Sequence, residues 1–124
     1  MSKLEDFIKF QDVSEMEEEI YINERLGTFK IKPLSGEKNE EFRKRSLSKN
    51  GTDINKFQLL IVSEQVIEPE LSNADFLAKT GCQTAREFIE RKFKAGEIAT
   101  IANKILEISG FNVDINEKVE EAKN

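Results

Sequence analysis

The sequence has no histidine, no tryptophan, a single cysteine and only two prolines. Without imidazole there is no base for a serine or cysteine triad, and one thiol alone leaves no Cys/His ligand set for a zinc site. Cys82 has no partner for an internal disulfide and nothing to activate it. It reads as a small buried apolar residue in a chain suited to a reducing compartment. The six glycines, at positions 27, 36, 51, 81, 96 and 110, fall one per junction and never cluster. Neither a dinucleotide fingerprint nor a P-loop can be built from that spacing. No stretch approaches the roughly 18 consecutive apolar residues of a membrane helix. The opening Met1-Ser2-Lys3-Leu4-Glu5-Asp6 places acids where a secretory signal carries bases. A cytoplasmic protein, with no membrane partner, is expected.

Positive charge is also in short supply: 19 Lys and Arg stand against 24 Asp and Glu, for a net charge of -5. Broad affinity for nucleic acid needs clustered cations that displace phosphate counterions, so no nucleic-acid partner is expected. The short cluster Arg43, Lys44 and Arg45 follows Glu40 and Glu41 and reads as a solvated helix face. Carboxylates are the remaining material for acid and base chemistry. The run Glu17, Glu18 and Glu19 is read as a solvated approach to a strand. The acids near positions 12 to 24 do not fit a calcium loop, which also needs a glycine at its sixth place. No catalytic, metal-binding or cofactor-binding residues are assigned, and the protein is not expected to be an enzyme.

What the chain does have is nine phenylalanines and enough apolar residues for one core, at a length that fits one domain. Leu4, Phe7 and Ile8 fall at one-face helical spacing within residues 2 to 13, with Ser2 and Glu5 placed as a capping box. So brief a helix cannot hold its shape alone, and it either docks on its own body or waits for a partner. Ile20-Tyr21-Ile22 and the alternating Thr28 to Lys32 read as a hairpin with Gly27 in its turn, ended by Pro33. Ser35-Gly36 can open a charged helix from Glu37 to about Leu47, anchored by Phe42 and Leu47. Asp53 can cap a segment from Ile54 to about Glu64. Its continuous apolar run Leu59 to Val62 also allows a buried strand, and helix is favoured.

Val66 and Ile67, ahead of Glu68-Pro69, are expected to be extended. A short helix capped by Ser72 carries Phe76 and Leu77 and stops at Gly81. Thr84 and Glu87 form a capping box for a helix with Phe88, Ile89 and Phe93 facing inward. Residues 97 to 109 place Ile98, Ile101, Ala102, Ile105 and Ile108 on one face before Gly110. The fold class implied is α+β: a small, mostly helical domain with an N-terminal β-hairpin packed on roughly four to five helices. The expected organisation is an amphipathic arm at 1 to 14, one α+β domain at 15 to 112 and a polar tail at 113 to 124.

The acidic entry into Tyr21 to Phe29, the Leu59 to Pro69 segment ending Val66-Ile67-Glu68-Pro69, and the Ala95-Gly96-Glu97 junction recur in a known order and spacing. So do Ile108-Ser109-Gly110-Phe111 and Val119-Glu120-Glu121-Ala122-Lys123-Asn124. In these pieces the chain resembles the XkdN-like tail assembly chaperones of tailed phages and prophage-like elements. The resemblance implies binding to the phage tape measure protein, and to tail tube subunits, in the bacterial host cytoplasm, without catalysis. It also implies a longer form of the chain made by ribosomal frameshifting, for which an A-rich stretch encoding Lys123-Asn124 would serve. Leu4, Phe7, Ile8 and Phe10 are the candidate client-binding residues, with Phe111 and Val113 as a second set. For Phe111 the competing reading is a contact that seals the end of the preceding helix. Rival roles are a structural or adaptor component of the tail, a small regulator that binds a host protein and, third, an enzyme that uses only carboxylates.

Overall fold

The computed structural model describes residues 3–111. A short helix α1 (Lys3–Ile8) and a 3-10 turn (Val13–Glu15) lead into the antiparallel hairpin of β1 (Glu18–Asn23) and β2 (Gly27–Ile31). Gly27 adopts φ 78°, a left-handed conformation that costs glycine nothing. Helix α2 (Gly36–Arg45) follows, then a miniature hairpin of β3 (Leu47–Ser48) and β4 (Gly51–Thr52). Helix α3 (Ile54–Gln65) runs into β5 (Val66–Glu68), and α4 (Ala74–Thr80), α5 (Ala85–Lys92) and α6 (Ala95–Ile108) complete the described chain. The class is α+β, with an N-terminal hairpin and five helices besides α1.

Leu59, Leu60, Ile61 and Val62 are all buried, because α3 lies at the centre and packs against α2, α5, α6 and β5. A helix enclosed on most sides can be apolar nearly all round. That is why the run lacked a clear period, and the structure resolves it as helix. The core joins these residues to Phe29, Ile31 and Leu34 from the strand β2 and its exit, Phe42 from α2, Leu71, Ile89 from α5, and Ile101, Ala102 and Ile105 from α6.

Val66 and Ile67 are extended, as expected, with Glu68 directly ahead of the proline continuing the strand, and they do more than connect. As β5 they pair with β2 in the order β1-β2-β5, with Ile31 opposite Val66 and Lys30 opposite Glu68. The turn out of α3 is fastened to the sheet by buried Gln65. Its backbone carbonyl accepts from the Lys32 N–H at 2.9 Å, and its side-chain Nε2 donates to the carbonyl of Pro33 at 3.0 Å. A buried amide so partnered avoids the desolvation cost of an orphaned polar group.

The local caps explain the helix starts. Ser35, Asp53 and Thr84 each accept a hydrogen bond from the backbone N–H three residues on. Glu87 accepts from the Gln83 N–H, one residue ahead of the cap, where a capping box would take the Thr84 N–H. Two expectations are corrected, while Phe88 faces inward as expected and packs against the core. Asn73, not Ser72, caps α4, since its side chain accepts from Phe76 N–H and the helix begins one residue later. Helix α2 ends at Arg45, so Leu47 is not an anchor; it is exposed on the small hairpin, while Ser46 is the buried residue and donates to the Phe42 carbonyl. Phe88 is half-buried, with Phe76 edge-on at 4.9 Å and Phe93 at 6.1 Å, and Ile89 is the residue of α5 that is fully enclosed. Cys82 is a free, buried thiol.

Phe42 is completely enclosed between α2 and the core. Phe42→Ala should therefore cost about 3 to 5 kcal/mol of stability, and Phe88→Ala distinctly less, as read from urea unfolding midpoints at constant slope.

Candidate functional site

The six residues of α1 include none that is buried. Leu4 is 76% exposed, Phe7 50%, Ile8 81% and Phe10 69%. The helix is shorter than the 2 to 13 expected from spacing, and its proposed cap Ser2 lies outside the described residues. Past Ile8, the Phe10 N–H still donates to the Phe7 carbonyl, which carries the turn far enough to stack the Phe7 and Phe10 rings at 4.8 Å. Lys3 Nζ sits 5.9 Å from the centre of the Phe7 ring. The four predicted apolar side chains therefore stand together on one short segment whose greasy surface faces solvent. Single exposed apolar residues are ordinary, whereas here four lie within seven residues of chain.

Phe111 is placed elsewhere. Gly110, at φ 93°, donates to the Glu107 carbonyl, and Phe111 N–H reaches back to the Leu106 carbonyl, both at 3.1 Å. This paired arrangement is the Schellman ending of a helix. It gives Phe111 a backbone role in closing α6, while its ring remains 46% exposed. Val113 lies outside the described residues.

One cluster that no local sequence signal announces joins the hairpin to α6. Glu97, 6% exposed, accepts from Arg25 Nη2 at 2.9 Å and Nε at 3.1 Å, from Asn23 Nδ2 at 3.0 Å and from the Lys94 N–H at 2.7 Å. Arg25 also donates to the Lys92 carbonyl. The hydrogen bonds from Arg25, then those from Asn23 and Lys94, hold the Glu97 carboxyl down at about 2 against the opposing effect of burial. So weak a base, with its oxygens occupied by donors, is unsuited to proton abstraction near neutral pH. The group is a clasp. An open cleft of about 420 Å³ adjoins it, lined by Ile22, Asn23, Arg25, Lys94, Gly96 and Thr100.

On the outer face of the sheet, Lys30 Nζ lies 3.7 Å from Glu68 and 3.6 Å from Glu17, and these two carboxylates raise its pKa above the usual value. Among the described residues no three His, Cys, Asp or Glu side chains gather as a metal ion would require, and no helix is long and apolar enough to cross a membrane.

Because Glu97 titrates lower in the folded chain than its ordinary value of 4.5, its contribution to stability is complete above that value. It fades as pH falls from about 4.5 toward about 2. Glu97→Gln should lower the thermal midpoint at pH 7 and flatten its acid dependence across that window, as followed by circular dichroism melts.

The chain is similar in fold to the crystal structure of the protein yqbn, at 22% sequence identity and a TM-score of 0.70, over 90% of this chain and 99% of that one. No curated protein matches it in sequence. The model of one family matches residues 4–123, nearly the whole length. The chain belongs to the phage XkdN-like tail assembly chaperone proteins.

Proposed function

We propose that this chaperone holds the phage tape measure protein in the bacterial host cytoplasm while tail tube subunits polymerise around it. It does so by covering apolar client segments, without covalent chemistry. The observation that carries this reading is the group Leu4, Phe7, Ile8 and Phe10, exposed together at the N-terminal end. In the proposed organisation residues 1 to 14 are the client-binding arm, 15 to 112 the folded body and 113 to 124 a polar tail. Phe111, at the end of α6, and Val113 are the second candidate contact.

The physics supports the assignment. An amphipathic helix engages a partner by laying its apolar face into a greasy groove or against another helix. A six-residue helix is too short to persist unaided, so contact with a client supplies the packing that it lacks. The net charge of -5 keeps copies of the body apart while the arm remains available. The frameshifted longer form belongs to the same reading, and sequencing the gene across its stop codon tests it directly.

Deleting residues 2 to 10 should leave the thermal midpoint within a few degrees of the intact chain, because α1 buries nothing. The same deletion should move co-expressed tape measure protein from the soluble fraction to the pellet. A large fall in the midpoint would make the arm a structural element, and undiminished client solubility would remove it from the interface. If the chain persists in purified mature particles, the structural-component role takes the place of a chaperone that departs.

A further inference from the structure

Strand β1 lies at the edge of its sheet, in the order β1-β2-β5. One side of β1 pairs with β2, and among the described residues no backbone hydrogen bond is made from its other side. The open edge of this six-residue strand is roughly 20 Å long and presents the N–H and C=O groups of alternate residues unpaired. The cleft of about 420 Å³ is formed against this strand: Ile22 and Asn23 line it from β1, and Gly96, Glu97 and Thr100 line it from α6. Gly96 and Thr100 are small and exposed, so the helix stands back from the strand's end rather than filling the space. A groove between an open strand edge and a helix is the setting in which an extended segment adds itself to a sheet.

The side chains specify what kind of segment fits. Ile20 and Ile22 face the core, so a strand laid beside them continues the apolar layer on that side. The outer face of β1 carries Glu19 and the exposed ring of Tyr21, with Glu17 just ahead. Glu17 shares Lys30 with Glu68, whereas Glu18 and Glu19 make no ion pair among the described residues. Carboxylates beside a ring favour ammonium or guanidinium groups by charge and by cation-π attraction. The same acids repel acidic strands, and the cost of desolvating them disfavours neutral ones, which guards an otherwise adhesive edge.

We propose that β1 and the β1–α6 groove form a docking site for an extended segment of another protein in which apolar residues alternate with Lys or Arg, bound by strand addition. This site is separate from the α1 arm, and neither reading depends on the other.

The test uses the full chain and a short synthetic peptide of alternating lysine and valine, blocked at both ends, beside a counterpart with glutamate for lysine. The lysine peptide should bind saturably at low salt and slow amide hydrogen exchange within residues 18 to 23. Glu19→Gln combined with Tyr21→Ser should weaken binding about tenfold, since both lie on the exposed face. Thr100→Trp, which obstructs the groove without changing any charge, should abolish the protection of β1. The proposal is overturned by an absence of saturable binding, by equal binding of the glutamate peptide, by unaltered binding to the Thr100→Trp variant, or by protection confined to residues 3 to 10.

Discussion

Four consecutive apolar residues, Leu59 to Val62, must all be removed from water within one turn of helix, and the architecture follows from that requirement. No single neighbour can cover a helix on every side, so α3 is enclosed by α2 and α5, by α6 and by the strand β5 that continues from it. Burying four such side chains completely is worth roughly 1.5 to 3 kcal/mol each, with the higher total reduced by the entropy of ordering them. The sheet is small because it has one task, to close the remaining side. Phe29 and Ile31 of β2 do so, and Ile20 and Ile22 of β1 extend the cover.

A three-stranded sheet lying on a helical core can still slide or peel, and two polar attachments prevent this at opposite ends. At one end Gln65 holds the exit of β2 to the end of α3. At the other, Asn23 at the end of β1 and Arg25 in the hairpin turn grip Glu97 in the first turn of α6. The second attachment also serves the helix. Glu97 accepts the Lys94 N–H, which would otherwise be an unsatisfied donor at the helix start, and its negative charge suits the positive end of the helix dipole. One carboxylate thereby begins α6 and ties the hairpin to it.

The legibility of this fold in the sequence divides along the range of the interaction. Caps at Ser35, Asp53 and Thr84, the stop at Gly81 and the periodic face of α6 are local, and each could be read from a few residues. Asn73 displaced Ser72 because two adjacent residues can both cap, and only the packing of Phe76 and Leu77 fixes which turn comes first. The pairing of Val66 with Ile31 joins segments far apart in sequence, so extended backbone was foreseeable and its partner was not. Arg25 and Glu97 are 72 positions apart, and among so many acids nothing distinguished this one. For the arm, the apolar spacing of Leu4, Phe7 and Ile8 was visible, but whether it docked on its own body was a question of tertiary packing that spacing could not answer.

The contrast between a fastened body and an exposed arm fits a binder that must release its client. An arm already packed in its bound form would hold tightly, because little ordering entropy would remain to be lost on contact. In the proposed client-binding role, an arm of one and a half turns would lose conformational freedom on engaging, and part of the free energy from burying Leu4, Phe7, Ile8 and Phe10 would be consumed in ordering them. Affinity per contact would then be modest, and a competing surface with a better-formed groove would displace it. For a protein proposed to guard a long client only until a tube encloses it, such weakness is a requirement of the task, and it follows from the shortness of the arm.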